Sequence, residues 1–143
     1  MSEAPTESEK KEVILIAEDS PPNRKILSHL LKKLNYEVIE CEDGKIAWEE
    51  HLKNGSVENL VAILSDIMMP NMDGLGLLKN IRENSTYKEV PFVLITAVSD
   101  KDYIMQAKNL NVNGYILKPV TFQRVSTKLK ELFPDKMLPK LTG

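Results

Sequence analysis

The residues of this chain whose types could do chemistry together are Glu18, Asp19, Asp66, Thr96 and Lys118. Each follows a short apolar run: Val13–Ala17 leads into Glu18-Asp19, 61–65 into Asp66, 92–95 into Thr96, and 115–117 into Lys118. Three carboxylates gathered in a partly dry cleft repel one another, so either some of them protonate or a cation sits among them. A hard dication with oxygen ligands answers that charge, and Mg²⁺ suits a site with few carboxylates and several waters. A bound anion such as a phosphoryl group would need the metal on one side and the Lys118 ammonium on the other. The Thr96 hydroxyl could donate to one of its oxygens. Singly, these residues read as a solvated acidic rim, a surface lysine and a strand threonine. Their joint placement at strand ends is what points to chemistry.

Short apolar runs bounded by polar residues predict strands buried on both faces of a parallel sheet. In such a sheet every strand runs the same way, so the carboxylates, hydroxyl and ammonium meet along one edge. The rest of the pattern supplies the crossovers. Helices are predicted over 21–34, 44–53, 75–82, 100–110 and 121–133, and a further strand over 36–41. In the first helix Ile26, Leu27, Leu30, Leu31 and Leu34 share one face, Ser20 is placed as N-cap with Pro21 at the first helical position, and Asn35 is placed to end the helix in a left-handed conformation. Ser99 or Asp100 is expected to cap the fourth helix. Strict alternation with right-handed crossovers puts helices on both faces. The expected fold is a doubly wound, flavodoxin-like α/β domain of five parallel strands in the order 2-1-3-4-5 with five helices. That order places its switch point between strands one and three, which carry the acids.

With 143 residues, 42% hydrophobic and 28% charged, the chain has the composition of one soluble globular domain. A formal charge of −2 and dispersed lysines give no basic stripe for nucleic acid. The single Cys41 excludes an internal disulfide, fits a reducing compartment and reads as a small buried residue. Neither a membrane-length apolar run nor a signal-peptide core is present, so a cytoplasmic location is expected. Residues 1–11 read as a flexible leader and 135–143 as a tail. His29 and His51 lie on charged helix faces and read as solvated surface, while Trp48 reads as core.

The ordered set resembles the receiver domain of two-component response regulators, of the single-domain chemotaxis type. The likeness spans 12–132. It rests on Glu18-Asp19, Asp66, the following Met69-Pro70-Asn71-Met72-Asp73-Gly74, Thr96-Ala97 thirty residues after Asp66, and Lys118-Pro119 twenty-two residues further on. The resemblance implies a receiver domain over 12–134. Asp66 would accept a phosphoryl group from the phosphohistidine of a sensor histidine kinase or a histidine phosphotransfer protein. Mg²⁺ would be held by Asp19, Asp66 and the Met68 backbone carbonyl, with Glu18 holding it through water. Lys118 and Thr96 would contact the phosphoryl oxygens.

The resemblance further implies a switch in which Thr96 moves toward the phosphate and Tyr115, nineteen residues on, turns inward. A downstream protein would read the face of helix four, strand five and helix five, including Tyr103, Met105, Gln106, Tyr115 and Gln123. No direct contact with nucleic acid or membrane is expected. The domain would act as a switch with self-catalysed gain and loss of phosphate, not as an enzyme with an external turnover substrate. Met68 and Val98 fall where receivers often carry polar residues, and apolar side chains there are expected to slow phosphate loss.

Three rivals are weighed against this reading. An aspartate-nucleophile phosphatase wants a second aspartate two residues after the nucleophile, where Met68 stands. A flavodoxin-like cofactor binder wants a Gly/Ser/Thr-rich phosphate loop after strand one, where Glu18-Asp19 would repel the phosphate. A receiver-like interaction module that never takes phosphate would not require the complete residue set.

Overall fold

The structure is a computed structural model that describes residues 11–97 and 100–135; the leader through residue 10, Val98, Ser99 and the tail from residue 136 lie outside the described residues. Five strands, β1 (Val13–Ala17), β2 (Glu37–Cys41), β3 (Leu60–Asp66), β4 (Phe92–Thr96) and β5 (Gly114–Leu117), form one sheet in the order β2-β1-β3-β4-β5. Every neighbouring pair is parallel. The expected strand order is thus the observed one.

The short apolar runs are explained by burial on both faces, where successive side chains point to opposite layers. Leu15, Ala17, Ile63, Phe92 and Leu94 enter one core, which also holds Leu52, Leu77, Leu78, Ile81 and Ala107. Ile14, Ile16, Ala62, Leu64, Val93 and Ile95 enter the other, with Leu27, Leu31, Val125 and Leu129. The first layer therefore carries α3 (Gly74–Glu83), α4 (Lys101–Asn109) and the segment after β2. The second carries α1 (Pro21–Lys33) and α5 (Phe122–Leu132).

Local chemistry sets the helix starts. Ser20 accepts from the Asn23 amide with Pro21 at the head of α1, Asp73 accepts from the Gly76 amide, and Thr121 accepts from the Arg124 amide. Each removes one of the orphan N–H groups a helix start leaves. Asn35 has φ 73 and closes α1 as expected. Asp100 stands before α4 but makes no side-chain cap; its Oδ2 accepts from the Ala97 amide at 2.8 Å.

Two expectations about helices are corrected. Ile26 is 48% exposed. It lies about 100° round the helix from Leu27, on the rim of an arc whose buried members are Leu27, Ser28 and Leu31. The helix expected over 44–53 opens as Gly44–Ile46 and widens into a π-helix over Ala47–Leu52; the two together are α2. The Lys53 amide donates to the Trp48 carbonyl at 2.8 Å, five residues back. Ala47 and Leu52 are both fully buried, and a five-residue turn stacks them where an α-helix would splay them apart. Trp48 is half-buried against the first core.

Candidate functional site

Asp66 and Thr96 are the last residues of β3 and β4, and Glu18-Asp19 and Lys118 follow β1 and β5 directly. Parallel pairing does the rest. Ala17 sits beside Ser65, Asp66 beside Ile95, and Thr96 beside Leu117. The Lys118 amide donates to the Thr96 carbonyl at 2.8 Å, extending the ladder one rung past β5, ahead of a cis Lys118-Pro119 bond.

Lys118 Nζ lies 2.8 Å from Asp66 Oδ2, and Asp66 Oδ1 accepts from the Ile67 amide at 2.8 Å. Carboxylate oxygens of Glu18, Asp19 and Asp66 all fall within 4.8 Å of one another. Glu18 and Asp66 are buried, whereas Asp19 is exposed. Glu18 is fixed from below: its amide donates to the Cys41 carbonyl, and Arg24 donates to its carbonyl at 2.8 Å. Arg24 is itself 4.0 Å from Glu40, which accepts from the Ser28 hydroxyl.

The electrostatics follow from this crowding. Burial, then a proton shared with Asp66, then the negative charge of Asp66, push the Glu18 carboxyl up to about 8. Burial alone would lower the Lys118 ammonium, but its hydrogen bond to Asp66 and the charges of Asp66, Glu18 and Asp19 outweigh that and raise it. Glu18 Oε1 is buried with no hydrogen-bond partner. Two ionised carboxylates only accept, so this oxygen is satisfied either by a proton or by a cation. An all-oxygen donor set with one orphaned buried acceptor fits a hard divalent ion.

Thr96 is buried at the same edge, 2% exposed. Tyr115 stands further down β5, opposite Leu94. Its ring packs against the first core and its hydroxyl donates to the Ile104 carbonyl at 3.4 Å. Met68 is 56% exposed. Ser65 is buried and its hydroxyl donates to the Asp66 carbonyl. Tyr103 and Tyr115 are half-buried, while Met105, Gln106 and Gln123 are exposed. A cavity of about 590 Å³ runs between β5 and α5, past Tyr115, Leu117 and Gln123.

Two residues around the site escape sequence reasoning, and so does the contact that one of them makes with Asn71. Arg24 holds the Glu18 backbone, and Asp43 joins Asn71 at 2.8 Å beside the acids' own loop. Asp43 carried one usable signal, an N-cap type immediately before Gly44; Arg24 carried none.

The sequence profile of the response regulator receiver domain matches residues 14–130. This chain belongs to that family. The receiver is similar to chemotaxis protein CheY1 of Helicobacter pylori, 38% identical over 118 residues that make up 82% of this chain and 93% of that one. Chemotaxis protein CheY-3 of Vibrio cholerae is 36% identical over 120 residues, 84% of this chain and 90% of its own. Among solved structures, chemotaxis protein CheY4 of Vibrio cholerae superposes with TM-score 0.77 at 27% identity, covering 87% of this chain and all of the other. The receiver domain of a sensor histidine kinase from Pseudomonas aeruginosa does so with TM-score 0.75 at 25% identity, covering 88% and 100%. That structure has a magnesium ion coordinated in its active-site cleft. The receiver is therefore a CheY-like signalling domain of the two-component type. Among its described residues no helix is long and apolar enough to cross a membrane.

Proposed function

We propose that Asp66 is the phosphoacceptor of this receiver, that the reaction depends on Mg²⁺, and that residues 12–134 form the working unit. The observation that carries this is the contact of Asp66 with Lys118 at 2.8 Å inside a cluster of three carboxylates. Asp19, Asp66 and the Met68 carbonyl would hold the ion, with Glu18 reaching it through water. Bound there, it supplies neutralisation of charge between the nucleophile and the incoming phosphoryl group.

The chain's own residues account for the remaining requirements. The Ile67 amide fixes one oxygen of Asp66 and leaves the other to attack phosphorus. As the new O–P bond forms, the P–N bond to the donor histidine breaks and its electron pair returns to the imidazole. Phosphoryl transfer asks for in-line positioning and charge stabilisation more than for covalent help from the protein. Lys118 transfers its ammonium from Asp66 to an equatorial phosphoryl oxygen, and the Thr96 hydroxyl donates to another. Acceptance and hydrolysis of the phosphoryl group are self-catalysed, with no external turnover substrate.

The reading extends to partners. The donor is a sensor histidine kinase or a histidine phosphotransfer protein in the cytoplasm. Movement of Thr96 toward the phosphate, followed by inward rotation of Tyr115, alters the face of α4, β5 and α5 for a downstream protein. The Tyr115 hydroxyl already reaches across to α4 at Ile104, which gives that coupling a physical path.

The test is mass spectrometry after incubation with acetyl phosphate and MgCl₂. The native chain should gain one phosphate, and Asp66→Asn should gain none. Equal labelling of both, or of neither, would overturn the assignment.

A further inference from the structure

The connection between β3 and α3 carries the Met68 carbonyl, and it is held from outside. Among the described residues two hydrogen bonds reach it from a third element, and both come from the start of α2. The Gly44 amide donates to the Met72 carbonyl at 3.2 Å. Asn71 Nδ2 donates to Asp43 Oδ2 at 2.8 Å. Asp43 is 4% exposed, and its other oxygen accepts from the Ile46 amide at 2.8 Å as the N-cap of α2. One carboxylate thus locks a helix start with one oxygen and a loop with the other. Asn71 takes φ 68 to present its amide, a left-handed conformation that asparagine tolerates. A Cβ on Gly44 would meet the Met72 carbonyl oxygen at 2.5 Å, so a side chain there would part the two loops.

We propose that Asp43 is a positioning residue for divalent-cation binding and phosphoryl acceptance, acting through Asn71 on the loop that carries Met68. The inference rests on the proposed reading of the Asp66 site. A backbone carbonyl makes a good ligand only if its loop is already in place, since ordering it on binding subtracts from affinity. The internal hydrogen bonds of the loop, Met72 amide to Pro70 carbonyl and Gly74 amide to Ile67 carbonyl, shape it. The bond to Asp43 ties that shape to the sheet through α2. Groups that orient a metal's ligands from behind typically change its affinity by about 10–100-fold when removed.

Two variants separate the clasp from the helix cap. Asp43→Ser keeps a good N-cap but is too short to reach Asn71. Asn71→Gly keeps the left-handed backbone and removes the amide. Calorimetric titration with MgCl₂ should show each variant binding about tenfold more weakly than the native chain, at the lower end of that range. The combined variant should bind no more weakly than either alone. In the metal-free protein, the amides of 68–73 should exchange with solvent faster in both variants. The exchanged pair, Asp43→Asn with Asn71→Asp, restores a donor facing an acceptor and should recover that protection.

Unchanged Mg²⁺ affinity in both variants, or losses that simply add, would overturn the inference. So would unchanged exchange in the loop. A native chain that binds no Mg²⁺ would remove the reading of the site and this inference together, whereas native binding with unaffected variants removes the inference alone.

Discussion

Two ionisable side chains, Arg82 half-buried and Glu18 buried, stand at opposite ends of the sheet, and the fold treats them in opposite ways. Arg82, at the end where β4 and β5 begin, donates five hydrogen bonds. Nε serves Leu110 O, one terminal nitrogen serves Lys88 O and Val90 O, and the other serves Asn111 O and Asn113 Oδ1. Burial pulls the guanidinium below its ordinary value, but every donor of the fork is matched. Glu18, at the end where strands finish, has a buried oxygen with nothing to accept from. A half-buried charge whose donors are all matched ties two loops together and leaves nothing over for a ligand. A buried carboxyl oxygen without a donor, beside two more carboxylates and a lysine, calls for a proton or a cation to complete it.

The largest expected effect breaks the site end and spares the other. Lys118→Ala removes the ammonium that faces the three acids, and the rate of phosphoryl acceptance from acetyl phosphate should fall about 100-fold, the usual cost of losing one charge-stabilising donor. The thermal midpoint of that variant should stay far closer to the native value than that of Arg82→Ala. A rate within threefold of native would remove Lys118 from the chemistry.

The reverse experiment loosens the scaffold. Arg82→Ala strips donors from five acceptors, several of them near solvent, and should cost about 2 kcal/mol of stability by urea denaturation. Below the unfolding transition, Mg²⁺ affinity and the phosphorylation rate should match the native protein. A matching loss of Mg²⁺ affinity would mean that the two ends are coupled and the contrast is false.

The smallest effect sharpens the account of Glu18. Its carboxyl is raised from 4.5 to about 8. Between those values the folded chain holds a proton that the unfolded chain has released. Stability from this group is therefore complete below about pH 4.5 and is lost as pH rises through about 8. In EDTA the native thermal midpoint should fall between pH 5 and pH 8 by about 3 °C more than that of Glu18→Gln. MgCl₂ should shrink the difference, because the cation replaces the proton. Parallel pH profiles for the two proteins in EDTA would show that Glu18 does not carry that proton.

The same contrast explains what the sequence revealed. The site was legible because its members are anchored by strand ends. Once the apolar runs at 13, 61, 92 and 115 are taken as parallel strands, Glu18, Asp66, Thr96 and Lys118 must share an edge, and the fold follows from the alternation. Arg82 gave no such signal. Four of its five partners are backbone carbonyls, from residue 88 to residue 111, and carbonyls look the same in every sequence.

The clasp between Asp43 and Asn71 was hidden for a related reason, since it depends on how two loops lie in space. Ile26 was misplaced because a run of leucines and an isoleucine blurs the edge of a helical stripe. The widened turn of α2 was missed because spacing was judged by the commoner period. Val98, expected to bear on phosphate lifetime, lies outside the described residues.

The amide bond from Lys118 to the Thr96 carbonyl has a consequence for how this residue travels. With its main chain stitched to the neighbouring strand, the lysine cannot follow an incoming group by shifting its backbone. All of its reach must come from rotation of the four-carbon arm, so the distance over which it can work is a fixed length. A shorter amine such as ornithine, or the bulkier fork of arginine, would carry the same sign of charge and deliver it to the wrong place.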